Sequence, residues 1–184
     1  MKYSILFVVI FSFMISCEQG GSKRESSKGF AEITPEENLK KQFNEYSELI
    51  LTGDIDVIKY LYSGIFKDIR ESLPEAHNLS DKRIFEIVFN EAQFLTEVNS
   101  GKIKVNFEII EIYKKIQFEN KMVYRISTLT TVTSNDSEKD LEGDVIAVSF
   151  DNGKNWKFVE NEPDSIKKVL SYDFSESEIN KIFD

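Results

Sequence analysis

The 184-residue chain has one cysteine, one histidine, one tryptophan and three prolines. A lone cysteine, Cys17, excludes an internal disulfide and any metal site built from several thiolates. A lone histidine, His77, excludes a cluster of metal-spaced imidazoles, and any Ser-His-Asp triad would have to run through it. Eight glycines are scattered along the chain and form no Gly-rich phosphate loop. Long hydrophobic runs are also missing. The longest, Ile5–Ile15, has eleven residues and is broken by Ser12, about half of the ~20 that a membrane-spanning helix needs. Positive charge is scarce: 32 Asp and Glu face 23 Lys and Arg, and all but Lys2 of these lie after residue 16. Such a surface excludes nucleic acid as a partner and disfavours anionic headgroups, because phosphate binding needs clustered Lys and Arg. The same surplus keeps a solvated surface soluble.

What stands at the N-terminus is informative. Lys2 precedes the apolar run, whose length fits the h-region of a signal peptide. The run ends Met14-Ile15-Ser16-Cys17, which resembles the lipobox of bacterial lipoproteins. The resemblance implies cleavage between Ser16 and Cys17, diacylglycerol on the Cys17 sulfur, and lipid anchoring of an exported protein in the cell membrane or outer membrane. The family prefers Leu where Met14 stands. Glu18, after the cysteine, is not the aspartate that tends to mark inner-membrane retention in enterobacterial lipoproteins. With Cys17 lipidated, no thiol is left for nucleophilic chemistry. Each buried methylene is worth ~0.8 kcal/mol, so two or three acyl chains hold where one is marginal.

Three segments follow: a signal peptide over 1–16, the lipidated cysteine with a tether over 17–33, and one domain over 34–184. Glu18–Gly29 contains nothing apolar, so it has no core to bury and reads as a flexible tether with an r.m.s. span of ~20 Å. The remaining length is that of one domain, long enough to bury roughly two-thirds of its unfolded surface without cross-links.

Thr34-Pro35-Glu36-Glu37 predicts a helix start, with an N-cap, a proline at the first position and a capping box. Leu39, Phe43, Tyr46 and Ile50 supply its apolar stripe, and Gly53 ends it. Asp54 is expected to cap a second helix carrying Ile55, Ile58, Leu61 and Tyr62. Ser80 is expected to cap a third of about 18 residues, with Leu79 and Ile84 as its hydrophobic staple. The period then falls to two. Ile103, Val105, Phe107 and Ile109 alternate with polar residues, and a phase slip at Ile109-Ile110 predicts a β-bulge. Further strands are read at Met122–Val132, Val145–Phe150 and Trp156–Val159, and Ser175–Glu178 is a second capping box before a C-terminal helix. Helices followed by an antiparallel meander define an α+β domain.

The Gly53-Asp54 hinge leading into Tyr60-Leu61-Tyr62-Ser63-Gly64-Ile65-Phe66, and the closing stretch Ser149–Phe158, carry a further resemblance. Over Glu36–Val159 the chain resembles bacterial proteins of the nuclear-transport-factor-2-like (cystatin-like) superfamily. The resemblance implies N-terminal helices packed on a curved antiparallel sheet around a cone-shaped pocket. Enzymes of the ketosteroid isomerase type place Asp, His or Tyr inside that cone. The superfamily also holds binding proteins and inert scaffolds, so the fold alone licenses no activity.

Four features compete for a chemical role. His77 lies in a polar interhelical loop beside Glu75 and reads as a surface histidine, with a general base as the competing role. Glu91 falls inside the apolar stripe of the third helix, three residues after Val88 and four before Leu95. An unpaired carboxylate is costly to bury, so Glu91 is either partnered or lining a cavity, with Tyr46 and Tyr124 as candidate pocket neighbours. Asp136, Glu138, Asp140, Glu142 and Asp144 alternate as in some calcium loops. The EF-hand pattern, however, would need Gly at Leu141 and Glu at Ala147, so no metal is expected there and the segment reads as a solvated hairpin loop. Ser149-x-Asp151-x-Gly153-x-x-Trp156 matches the Asp-box turn of sialidase propellers. A propeller would repeat it every ~40–50 residues, and a single copy makes it a structural hairpin.

No cofactor is implied. The expected function is a membrane-anchored envelope lipoprotein whose domain binds a small apolar ligand or an envelope protein without catalysis. The alternatives are a small enzyme using Glu91 or His77, and an immunity or inhibitor protein whose acidic surface meets a basic partner.

Overall fold

Thr34 starts the fold as the sequence predicts. In the computed structural model, which describes residues 33–90, 98, 100–134, 137–162 and 165–184, its hydroxyl accepts from the Glu37 amide at 3.2 Å. The Glu37 carboxylate accepts from the Thr34 amide at 2.9 Å. Helix α1 (Pro35–Thr52) buries Leu39, Phe43, Tyr46 and Ile50. Gly53 closes it in the left-handed region, at φ 65°. Asp54 then caps a short 3-10 helix, Ile55–Tyr60.

The expected second helix divides at Leu61. Its backbone is extended, with ψ 139°, and it forms a parallel bridge to Phe158 while the Tyr62 amide donates to the Phe158 carbonyl at 3.0 Å. Occupying the open edge of a strand outweighs one more helical turn. Helix α2 (Gly64–Ser72) follows, then a 3-10 turn at Pro74–Ala76 and helix α3, described over Asp81–Asn90. Ser80 caps α3 by accepting from the Arg83 amide at 3.3 Å. Of the rest of the predicted third helix, residues 91–97 lie outside the described residues, and Val98 is helical.

Four antiparallel strands follow in the order β1-β2-β3-β4: β1 (Ile103–Phe118), β2 (Lys121–Ser134), β3 (Glu138–Ser149) and β4 (Lys157–Glu160). The bulge at Ile109-Ile110 is present, and a second one falls between Ile112 and Lys114. Together they bend β1; the first brings Ile112 onto the face of Val105 and Phe107, and the second restores the original phase, so that Ile116 and Phe118 lie on the opposite face. The predicted acidic loop is corrected. Glu138–Asp144 is the first half of β3, in register with β2. Its alternating carboxylates share one face, largely in solvent, where Thr131 donates to Asp140 at 2.7 Å. Among the described residues no cluster of His, Cys, Asp or Glu is arranged to hold a metal ion.

Beyond β4, α4 (Ile166–Leu170) and α5 (Glu176–Phe183) complete the chain. Ser175 and Glu178 form the second capping box, at 3.3 and 2.8 Å. The sheet thus buries both faces near its β3–β4 end. Val145, Ala147 and Phe158 face α1, while Ile146, Val148 and Val159 face α4 and α5. This explains the unbroken apolar run of Val145–Val148, which alternation for a half-exposed strand would not produce. No helix among the described residues is long and apolar enough to cross a membrane.

Candidate functional site

A cavity of about 310 Å³ opens beside the β4 edge, where five elements meet. Helix α2 contributes Ile65, Phe66, Ile69 and Leu73, and α3 contributes Ile84 and Phe85. Phe158 and Val159 of β4 form the floor, Ile166 and Val169 of α4 close one side, and Tyr46 of α1 enters from the back. The volume lies at the lower end of the range for small-molecule sites, and the lining is mostly apolar, as in such sites generally. Gly64 makes the α2–α4 wall possible. A Cβ there would overlap the Val169 carbonyl oxygen and lie 2.5 Å from the Tyr62 ring.

Three carboxylates break the apolar lining: Asp68, Glu160 and Glu162. Asp68 is ion-paired with Lys168 of α4. Glu160 is different. It follows Phe158 by two residues on β4, so the pleat turns it inward, opposite Val145. Among the described residues, no donor or cation pairs with its side chain. Burial, reinforced by the charge of Glu162, pushes its carboxyl up to about 7. The neighbouring Tyr46 hydroxyl also has no hydrogen-bond partner among the described residues. Burial first, and then the charge on Glu160, push its ionisation far above the ordinary tyrosine range.

Of the candidate site residues that are described, Tyr46 alone reaches this cavity. Tyr124 sits elsewhere on the same sheet face, packed on Trp156 at 4.8 Å between ring centres and covered by the Lys115 ammonium at 5.8 Å. Lys115 pairs in turn with Glu36 at 2.5 Å. His77 is exposed at the end of the 3-10 turn and does not line the cavity. Ser16, Cys17 and Glu91 lie outside the described residues. Glu160 was missed by the sequence reading. Its signal was the period-two series Trp156-Phe158-Glu160, in which two buried aromatics fix the phase of the carboxylate.

The Ser149–Trp156 turn is a separate constellation, built without a cavity. The Asp151 carboxylate accepts from the Asn155 amide at 2.8 Å, the Asn155 side chain at 2.6 Å and the Ser149 hydroxyl at 2.8 Å. The Ser149 oxygen accepts from the Gly153 amide at 2.9 Å. Burial works against the charge on Asp151, yet the bonds from Asn155, Ser149 and the Lys154 amide outweigh it and hold the carboxyl below its ordinary range. Gly153 has φ 84°, and a Cβ there would stand 2.6 Å from the Pro35 side chain, so the turn docks on the first turn of α1. Asn38 and Gln42 of α1 donate to the Gly153 and Lys154 carbonyls at 2.7–2.9 Å, and the Trp156 amide donates to Gln42 at 2.8 Å. Trp156 is fully buried, and its indole N–H has no acceptor among the described residues.

No protein-family model, no curated protein and no solved structure matches this chain.

Proposed function

We propose that this chain is a lipid-anchored envelope protein whose domain binds a small, mostly apolar molecule in the cavity between α2 and β4. The observation that carries the reading is the cavity itself: about 310 Å³, apolar on most sides, with a carboxyl and a phenol that have no partner among the described residues. Natural folds rarely leave a partly buried carboxylate unpaired without use, because its desolvation destabilises the fold. Membership of the nuclear-transport-factor-2-like superfamily is part of the proposal, supported by N-terminal helices against a bulged antiparallel sheet. The cavity lies at the β4 edge, and helices α4 and α5 cover the other sheet face.

A neutral apolar fluorophore such as N-phenyl-1-naphthylamine tests the reading. Its emission should rise on mixing with the full chain, and Leu73→Trp, which fills the cavity from α2, should abolish the rise while the melting temperature holds. Undiminished binding by the filled variant would place the fluorophore elsewhere and end the proposal. The anchor is tested separately. Labelled palmitate should be incorporated by the wild type, and Cys17→Ser should leave an unprocessed precursor; a wild type that takes up no label would remove the lipoprotein reading.

A second reading is an enzyme using Glu160 as general base beside Tyr46. It is favoured by a carboxyl poised near neutrality, the optimum for proton transfer at physiological pH.

A further inference from the structure

Among the described residues, the charges lining the cavity are all of one sign. Tyr46 enters from α1, Asp68 from α2, Glu160 and Glu162 from β4 and the residues after it; the described part of α3 contributes Ile84 and Phe85. No Lys, Arg or His is among the described lining residues. Of the two lysines on α4, Lys168 is committed to Asp68 and Glu71, and Lys167 lies over the Phe183 ring. Glu160 and Glu162 therefore line the cavity without a compensating cation among the described lining residues.

We propose that the ligand is an apolar molecule carrying a primary amine or other cationic head, its charge seated on Glu160 beside Tyr46 and its hydrocarbon among Ile69, Phe85, Phe158 and Val169. The inference rests on the cavity being a binding site. The chemistry selects in both directions. A cation recovers the hydrogen bonds and charge that Glu160 lacks, whereas a carboxylate or phosphate head of the same length meets uncompensated carboxylates. A neutral alcohol keeps the apolar contacts and loses the charge. Tyr46 can accept a hydrogen bond from an ammonium, since its hydroxyl is engaged by none of the described residues.

Binding should also follow pH. The Glu160 carboxyl titrates near neutrality in the free protein, so at pH 5.5 it is mostly protonated and holds an ammonium poorly, while at pH 8 it is charged. Alkylamines remain cationic across that range, as lysine does, and the slope belongs to the protein.

The test uses octylamine, octan-1-ol and octanoate, titrated into the full chain and read by the amide resonances of Phe158, Val159 and Val169. At pH 8 octylamine should bind about tenfold or more tighter than octanol, with octanoate weakest. Octylamine affinity should fall on moving to pH 5.5. Glu160→Gln should cut octylamine binding by about tenfold and remove its pH dependence, leaving octanol nearly unchanged. The wild-type panel and its pH series decide the matter even if the variant does not fold. Equal affinity for all three compounds, with no pH slope, would overturn the amine inference and leave the cavity reading standing. If none of them shifts those resonances, both readings fall together.

Discussion

Two carboxylates at opposite ends of one hairpin show how differently the same chemical group can be used. Asp151, in the turn between β3 and β4, accepts three hydrogen bonds at 2.6–2.8 Å and is held below the ordinary carboxylate range. Glu160, at the end of β4, has no partner among the described residues and is driven up to about 7. The first is satisfied by its own loop and needs nothing from outside. The second has no such bonds from the described residues and is held toward its protonated form. The contrast separates cement from site more sharply than residue type or exposure does, because both positions are half-buried acids on the same strand pair.

The largest way to break the cement end is Trp156→Ala. Removing a fully buried indole should cost about 3–5 kcal/mol, and the melting temperature should drop by roughly 10 °C in a domain of this length. Ligand binding should persist wherever the variant stays folded. A drop of a degree or two by calorimetry would mean the turn is a recognition loop. Asp151→Ala comes next, at about 1–3 kcal/mol for the lost hydrogen bonds. The sign with pH follows from the lowered carboxyl. Its contribution is present above the ordinary carboxylate range and fades as pH falls through it. The deficit in denaturant midpoint should therefore be full at pH 7 and shrink toward pH 3.

At the site end the sign reverses. A carboxyl raised to about 7 from 4.5 favours folding while protonated and opposes it once charged. Stability should decline as pH rises between those values. Glu160→Gln should raise the melting temperature at pH 8, by an amount corresponding to roughly 2 kcal/mol after allowing for its partial exposure, and should change little at pH 4. Destabilisation at pH 8 would show that the carboxylate is paired in the free protein. The smallest effect is expected at His77, which is exposed and outside the cavity. His77→Ala should leave melting temperature and ligand affinity within error, and a tenfold loss of affinity would return it to the site.

The sequence was most readable where the cause of structure is local. Both capping boxes, Thr34–Glu37 and Ser175–Glu178, are closed within a single turn of helix, so four residues suffice to predict them. The Ile109-Ile110 bulge shows as two apolar residues in succession, whereas the one between Ile112 and Lys114 hides in Tyr113-Lys114-Lys115, where no apolar phase exists to slip. The outer half of β3 was taken for loop because Glu138, Asp140, Glu142 and Asp144 are poor strand formers. They are tolerated because one face of that half is open to water and β2 supplies the register. The cavity was illegible for a different reason. Five elements meet there, and β4 is four residues long, too short to display its alternation without Trp156 as a phase marker. Tyr46 was found through its helical stripe and Tyr124 through its strand. Which of them would meet a cavity depended on how α1 lies across the sheet, and no periodicity encodes that.

The clasp between α1 and the hairpin turn also governs how the domain answers a mechanical pull. Thr34 and Pro35 open α1, and Pro35 lies beside Gly153. Four hydrogen bonds, three donated by Asn38 and Gln42 and one accepted by Gln42 from the Trp156 amide, fasten the next two turns of α1 to the same hairpin. Tension applied at residue 33 is therefore shared among these bonds at once and passed through the hairpin into the sheet, so α1 cannot be peeled away residue by residue.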